Sequence, residues 1–105
     1  MLGILKELFG FGPKVDIGEL IKQGALIVDV RTKGEYAGGH VKGSLNIPLD
    51  QLEYNIKKFK TKEQAIITCC ASGMRSGSAK GILKSHGFTN VHNGSSWHNL
   101  KYYGK

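Results

Sequence analysis

The sequence predicts a single α/β domain: a central, mostly parallel sheet with helices on both faces. Three observations carry that prediction. Two short apolar runs, ALIVDV at 25–30 and AIITC at 65–69, are rich in β-branched residues, as strands buried on both faces require. Segments with helical spacing alternate with those runs, which favours parallel strands joined by helical crossovers. A chain of 105 residues, 40% of them hydrophobic, can bury one compact core but hardly two. The domain is expected over residues 14–105, with residues 1–13 as an N-terminal extension.

In chain order, residues 1–12 (MLGILKELFGFG) read as a short amphipathic helix. Lys6 and Glu7 interrupt the apolar run, and neither a basic leader nor a small-residue cleavage site flanks it, so it does not read as a signal peptide. No stretch approaches the roughly 20 apolar residues of a membrane span. Asp16 and Glu19 have capping-box spacing, Ile17, Leu20 and Ile21 share a face, and Gly24 offers a left-handed stop, which predicts a helix over 16–23. The central strand at 25–30 follows. After Arg31, Glu35 and Tyr36 sit in a polar stretch that predicts one or two helical turns ended by Gly38 and Gly39.

A short strand is expected over 44–47, stopped by Pro48. Asp50 is then placed to cap a helix with Leu52, Ile56 and Phe59 facing inward. The second buried strand occupies 65–69. A helix over 76–86 turns Ala79, Ile82 and Leu83 inward and stops at Gly87, and a last strand spans 88–92.

Charge narrows the function class. The formal charge is +7, yet thirteen of the fifteen basic residues are lysines scattered from Lys6 to Lys105, with one modest run at Lys57, Lys58, Lys60 and Lys62 and no interleaved aromatic platform. That is the pattern of a solvated surface and excludes a nucleic-acid groove, while small anions are still drawn inward. Only Arg31 and Arg75 are arginines, so the planar, bidentate guanidinium is kept for two places. Cys69 and Cys70 are neighbours and cannot staple distant segments, which fits a reducing, cytoplasmic compartment. Adjacent cysteines and four scattered histidines make no metal site, and no cofactor is expected.

The chemistry concentrates in Cys70-Ala71-Ser72-Gly73-Met74-Arg75-Ser76, a tight loop between a buried strand and a helix. Such loops lie at the carboxyl ends of strands, where ligands of open α/β sheets bind. A curled loop aims successive N–H groups inward, and the helix behind it adds partial positive charge. The same field lowers the pKa of a thiol and makes a nucleophile of Cys70. Gly73 supplies freedom for the curl, Arg75 a cation at the rim, and Ser76 a helix cap.

This loop resembles the active-site loop of the rhodanese family, C-x-x-G-x-R-[ST]. Residues 29–48, DVRTKGEYAGGHVKGSLNIP, resemble the family's N-terminal pattern of D-V-R, E-[FY], G-H-[IV], G-[AS] and N-[IV]-P. HGFTNV at 86–91 resembles its G-F-x-x-V strand entry, so the likeness covers roughly residues 14 to 100. The resemblance implies a five-stranded sheet and a thiosulfate sulfurtransferase-like cycle in which Cys70 accepts sulfane sulfur as a persulfide. The donor is then a small anion such as thiosulfate, and the acceptor is cyanide, a thiol, or a protein thiol. The backbone amides of Ala71, Ser72, Gly73, Met74 and Arg75 bind substrate, with Arg75 orienting the anion. Asp29, Arg31 and His40 are implied as supporting groups in a polar network near the loop. Asn93-Gly94-Ser95-Ser96-Trp97 departs from the family's usual glycine pair at the pocket mouth, which bears on substrate choice.

Two other readings compete. Counted from Cys69, the loop satisfies C-x5-R-[ST], the pattern of cysteine phosphatases and arsenate reductases, although Gly73 falls in register with Cys70. A non-catalytic or relay rhodanese-like binding module is the second alternative.

Overall fold

The two apolar runs become the central strands, β1 (Leu26–Asp29) and β3 (Ile66–Cys70). They pair in parallel, from Leu26 opposite Ile66 to Asp29 opposite Cys69. β2 (Leu45–Asn46) flanks β1 and β4 (Val91–Ser96) flanks β3, giving the order β2-β1-β3-β4 with every pairing parallel. The structure, a computed structural model, describes residues 16–103, so the helix expected within 1–13 lies outside the described residues.

Four strands, not the expected five, form among the described residues. The segments between them are spent on helices and turns, which leaves no chain there for a fifth.

Alternation along β3 divides the core. On one face Val28, Val30, Ile66 and Cys70 pack with Ala79 and Leu83 of α3 (Met74–Ser85) and with Leu52, Phe59 and Phe88. On the other, Ile27, Ile67 and Cys69 pack with Ile21 of α1 (Ile17–Lys22) and with Leu100. Asp16 caps α1 by accepting the Glu19 N–H at 3.0 Å. Helices therefore cover both faces, and the short α2 (Lys33–Ala37) follows β1.

Three local expectations are corrected. The segment expected as a capped α-helix from Asp50 forms 3-10 turns at Leu49–Gln51 and Glu53–Lys58, with Pro48 rather than Asp50 in the cap position. The side-chain amide of Asn55 donates to the Gln51 carbonyl at 2.7 Å, where an α-helix would seat the Asn55 backbone N–H, and that N–H bonds Leu52 instead. The last strand starts at Val91 rather than Phe88 because Phe88 belongs to the end of α3. Its N–H bonds the Leu83 carbonyl and the Gly87 N–H bonds Lys84, a Schellman motif with Gly87 at φ +92°. Finally, α3 begins at Met74 with Gly73 as its N-cap, so Ser76 lies inside the first turn and does not cap it.

Candidate active site

β3 ends on Cys70, and the chain curls through Ala71, Ser72 and Gly73 into α3. Gly73 adopts φ +109°, in the left-handed region, and any Cβ there would come within 2.7 Å of Ser95 Oγ. The curl brings the Gly73 N–H to 2.9 Å from Cys70 Sγ. From the other side the Cys70 thiol donates to Ser76 Oγ at 3.4 Å. Cys70 is fully buried among these groups.

Burial alone would push this thiol up. Hydrogen bonding with the Ser76 hydroxyl and with the backbone amides of Ser76, Gly73 and Ser72 outweighs it, and the net effect holds Cys70 below the ordinary cysteine value. Ala71, Ser72 and Met74 are exposed around the loop.

The loop is backed by residues that sequence reasoning did not assign. Ser76 Oγ donates to Asn93 Oδ1 at 2.6 Å, and Asn93 Oδ1 also accepts the Ser95 N–H at 2.8 Å. Thr68, buried on β3, donates to the Ser76 carbonyl at 2.9 Å. Ser95 lies at φ +67°, in the left-handed region, at the place where the glycine pair of the resemblance was interrupted. That missing glycine was the available signal.

Arg75 is held by a partner. Its Nη1 and Nη2 donate to Glu35 Oε1 and Oε2 at 2.6 and 3.0 Å, tying α3 to α2 in a bidentate pair. Glu35 also receives the N–H and hydroxyl of Thr32, at 3.1 Å each, in a capping box at the start of α2. The Arg75 guanidinium and the Thr32 donors hold the Glu35 carboxyl down to about 2. The T-x-x-E spacing at 32–35 was the legible signal for the cap; nothing local announced Arg75 as the partner.

Asp29 and Arg31 form a buried pair behind the loop. Arg31 Nη2 and Nε reach Asp29 Oδ2 and Oδ1 at 2.7 and 3.0 Å, and Nη2 also donates to the Gly39 carbonyl at 2.7 Å. The guanidinium carbon lies 4.7 Å from the Trp97 ring centroid, and Asn46 Nδ2 donates to the carbonyls of both Asp29 and Arg31. The hydrogen bonds it donates to Asp29 raise Arg31 further above its already high value. His40 is exposed, stacked 3.7 Å above Tyr36, with Nδ1 2.7 Å from the Tyr36 carbonyl.

Cys69 faces the opposite core, beneath α1. Burial there, followed by the repulsion of Asp29, pushes its thiol up to about 12. A nucleophile counted from Cys69 would therefore be protonated and turned away from the loop. Among the described residues no three His, Cys, Asp or Glu side chains converge as a metal site.

The parallel sheet thus ends on an acidified thiol at the mouth of a strand-to-helix loop, with the Gly73 N–H aimed at the sulfur. The family model of the rhodanese-like domain matches residues 15–95. Thiosulfate sulfurtransferase PspE of Escherichia coli is 37% identical over 67 residues, covering 63% of this chain and 64% of its own. The thiosulfate:glutathione sulfurtransferase of Saccharomyces cerevisiae is 36% identical over 79 residues, covering 63% and 56%. A solved human single-domain sulfurtransferase superposes with a TM-score of 0.73 at 26% identity, covering 85% of this chain and 95% of the other. The chain belongs to the rhodanese-like domain family. It spans about half to two thirds of the length of these curated relatives.

Proposed function

We propose that the chain is a sulfurtransferase that carries sulfane sulfur as a persulfide on Cys70. The observation that carries this reading is the enclosure of Cys70 Sγ by polar groups: the Gly73 N–H donates to it at 2.9 Å, the Ser76 hydroxyl lies 3.4 Å away as the acceptor of the thiol proton, and further backbone amides acidify it. Those groups favour a negatively charged sulfur over a neutral one, which suits both a thiolate and the persulfide anion that replaces it.

With thiosulfate as donor, the Cys70 thiolate attacks the outer sulfur. A sulfur–sulfur bond forms to Cys70, the bond to the sulfite sulfur breaks, and sulfite leaves with the electron pair. A second nucleophile, cyanide or a thiolate, then takes the outer sulfur and returns Cys70 as thiolate. The relatives named for thiosulfate and glutathione support this donor and a thiol acceptor; a protein thiol would enter by the same chemistry. Arg75, at the rim, attracts and orients the donor anion, while Ala71, Ser72 and Met74 form the mouth of the loop. Asp29, Arg31 and His40 hold the surrounding backbone rather than touch the sulfur.

The decisive experiment is incubation with thiosulfate followed by intact mass measurement. The reading requires the gain of one sulfur atom, abolished by Cys70→Ser and retained by Cys69→Ser. Aryl phosphate turnover that depends on Cys69 would replace it with phosphatase chemistry. Loading by thiosulfate without turnover to cyanide or small thiols would point to a relay module.

A further inference from the structure

Ser76 has one hydroxyl proton and three groups that compete for it. Its Oγ lies 2.6 Å from Asn93 Oδ1, 3.1 Å from the Gly73 carbonyl and 3.4 Å from Cys70 Sγ. Asn93 is not free to turn its amide. Its Oδ1 also accepts the Ser95 N–H at 2.8 Å, and its Nδ2 faces the Gly73 carbonyl at 3.5 Å. An amide flipped the other way would set two donors against each other at Ser95 and two acceptors at Gly73, so the hydrogen-bond network assigns the oxygen to the Ser76 side.

With Cys70 neutral the network closes as a chain: the thiol donates to Ser76, and Ser76 donates to Asn93. An anionic sulfur has no proton to give and gains from every donor that can reach it. Ser76 then serves the sulfur only by turning its proton away from Asn93. Asn93 Oδ1 survives the change, because the Ser95 N–H still satisfies it.

We propose that Asn93 is a positioning residue acting through Ser76: it holds the hydroxyl proton away from Cys70 while the sulfur is neutral and releases it when the sulfur becomes anionic. This deepens the sulfurtransferase reading by specifying how its sulfur anion is stabilised. Ionisation breaks the Cys70 S–H bond, leaving the electron pair on sulfur and the proton in water; no other covalent bond in the network changes, and only the Ser76 hydroxyl reorients. The strength of the Asn93 acceptor thereby sets how readily Cys70 ionises.

The charged and titratable groups around Cys70 are Cys69 on its own strand, Arg75 on α3 with Glu35 from α2, and Asp29 on β1 with Arg31. The part of β4 packed here, Asn93 to Ser96, contributes none. Substituting Asn93 by an apolar residue leaves all of these charges in place, so a change in Cys70 acidity reports the hydroxyl.

The test is the pH dependence of iodoacetamide alkylation at Cys70, read by intact mass, in the wild type, Asn93→Ala, Ser76→Ala and the double variant. Asn93→Ala should lower the midpoint by about 0.5 to 1 unit, since the freed hydroxyl now serves the thiolate, and Ser76→Ala should raise it by about 1 unit. The double variant should titrate like Ser76→Ala alone. Asn93→Leu, which fills more of the vacated space, should repeat the Asn93→Ala result and serves in its place if that variant does not fold. An unchanged or raised midpoint in the Asn93 variants overturns the proposal, as does an equal downward shift in the Ser76→Ala background. The titration uses no sulfur donor, so it stands or falls separately from sulfur loading by thiosulfate.

Discussion

Cys69 and Cys70 are adjacent on β3 yet buried in different cores, Cys70 with α3 and Cys69 with α1. The alternation of a strand puts their side chains on opposite faces, and the two environments push the thiols in opposite directions. Only one of them can act from the loop.

Alkylation of the native protein should therefore label Cys70 first, with a rate that climbs as pH rises and levels off once pH exceeds its lowered value. Cys69, pushed up to about 12, should stay unlabelled until the chain unfolds. Peptide mapping after limited alkylation at neutral pH checks this, and a native Cys69–Cys70 disulfide after mild oxidation would contradict it.

Glu35 occupies both terminal nitrogens of Arg75, the cation assigned to the donor anion. Glu35→Gln should free that fork and lower the KM for thiosulfate by roughly threefold at low salt, while Arg75→Ala should raise it by roughly tenfold; both effects should shrink as salt increases. The carboxyl's folded value of about 2 lies below its ordinary 4.5, so its pairing supports the fold above pH 4.5 and is lost as pH falls toward 2. Wild type should be the more stable of the two at neutral pH, and in acid unfolding its margin over Glu35→Gln should shrink as pH falls from 4.5 toward 2.

The Asp29–Arg31 pair is almost completely sealed from water, with side chains 0% and 5% exposed. Removing one partner strands the other charge inside. Asp29→Ala or Arg31→Met should cost about 3 to 5 kcal/mol in urea unfolding. A loss below about 1 kcal/mol would show that water already reaches the pair.

Ser95 and Gly73 crowd each other, and both sit at positive φ, +67° and +109°. Ser95→Gly should relieve a left-handed side chain and stabilise the fold by about 1 kcal/mol. Gly73→Ala should destabilise the loop and depress sulfur loading, since its Cβ would lie 2.7 Å from Ser95 Oγ. Adding Ser95→Gly to Gly73→Ala should recover part of that loss, a coupling visible in a double-mutant cycle.

Much of the fold was legible because its signals are local. Asp16 caps the Glu19 N–H three residues on, Gly87 closes α3 on Lys84 and Leu83, and the β-branched runs mark the two central strands. The strand-loop-helix setting of Cys70 was legible for the same reason. The break at Asn55 was not, since a side chain's competition for the Gln51 carbonyl is settled only by the geometry of the turn. Nor was the strand count, which the resemblance set at five and the described residues set at four.

The sequence by itself determined that a pair of cysteines stands at the carboxyl end of a buried strand and which loop follows it. Tertiary structure alone decided the partners: Arg75 meets Glu35 across 40 residues of chain, and Ser76 meets Asn93 across 17. Such pairs depend on sheet order and on the way α2, α3 and β4 converge, and hydrogen bonds that join separate elements leave no periodic trace in the sequence.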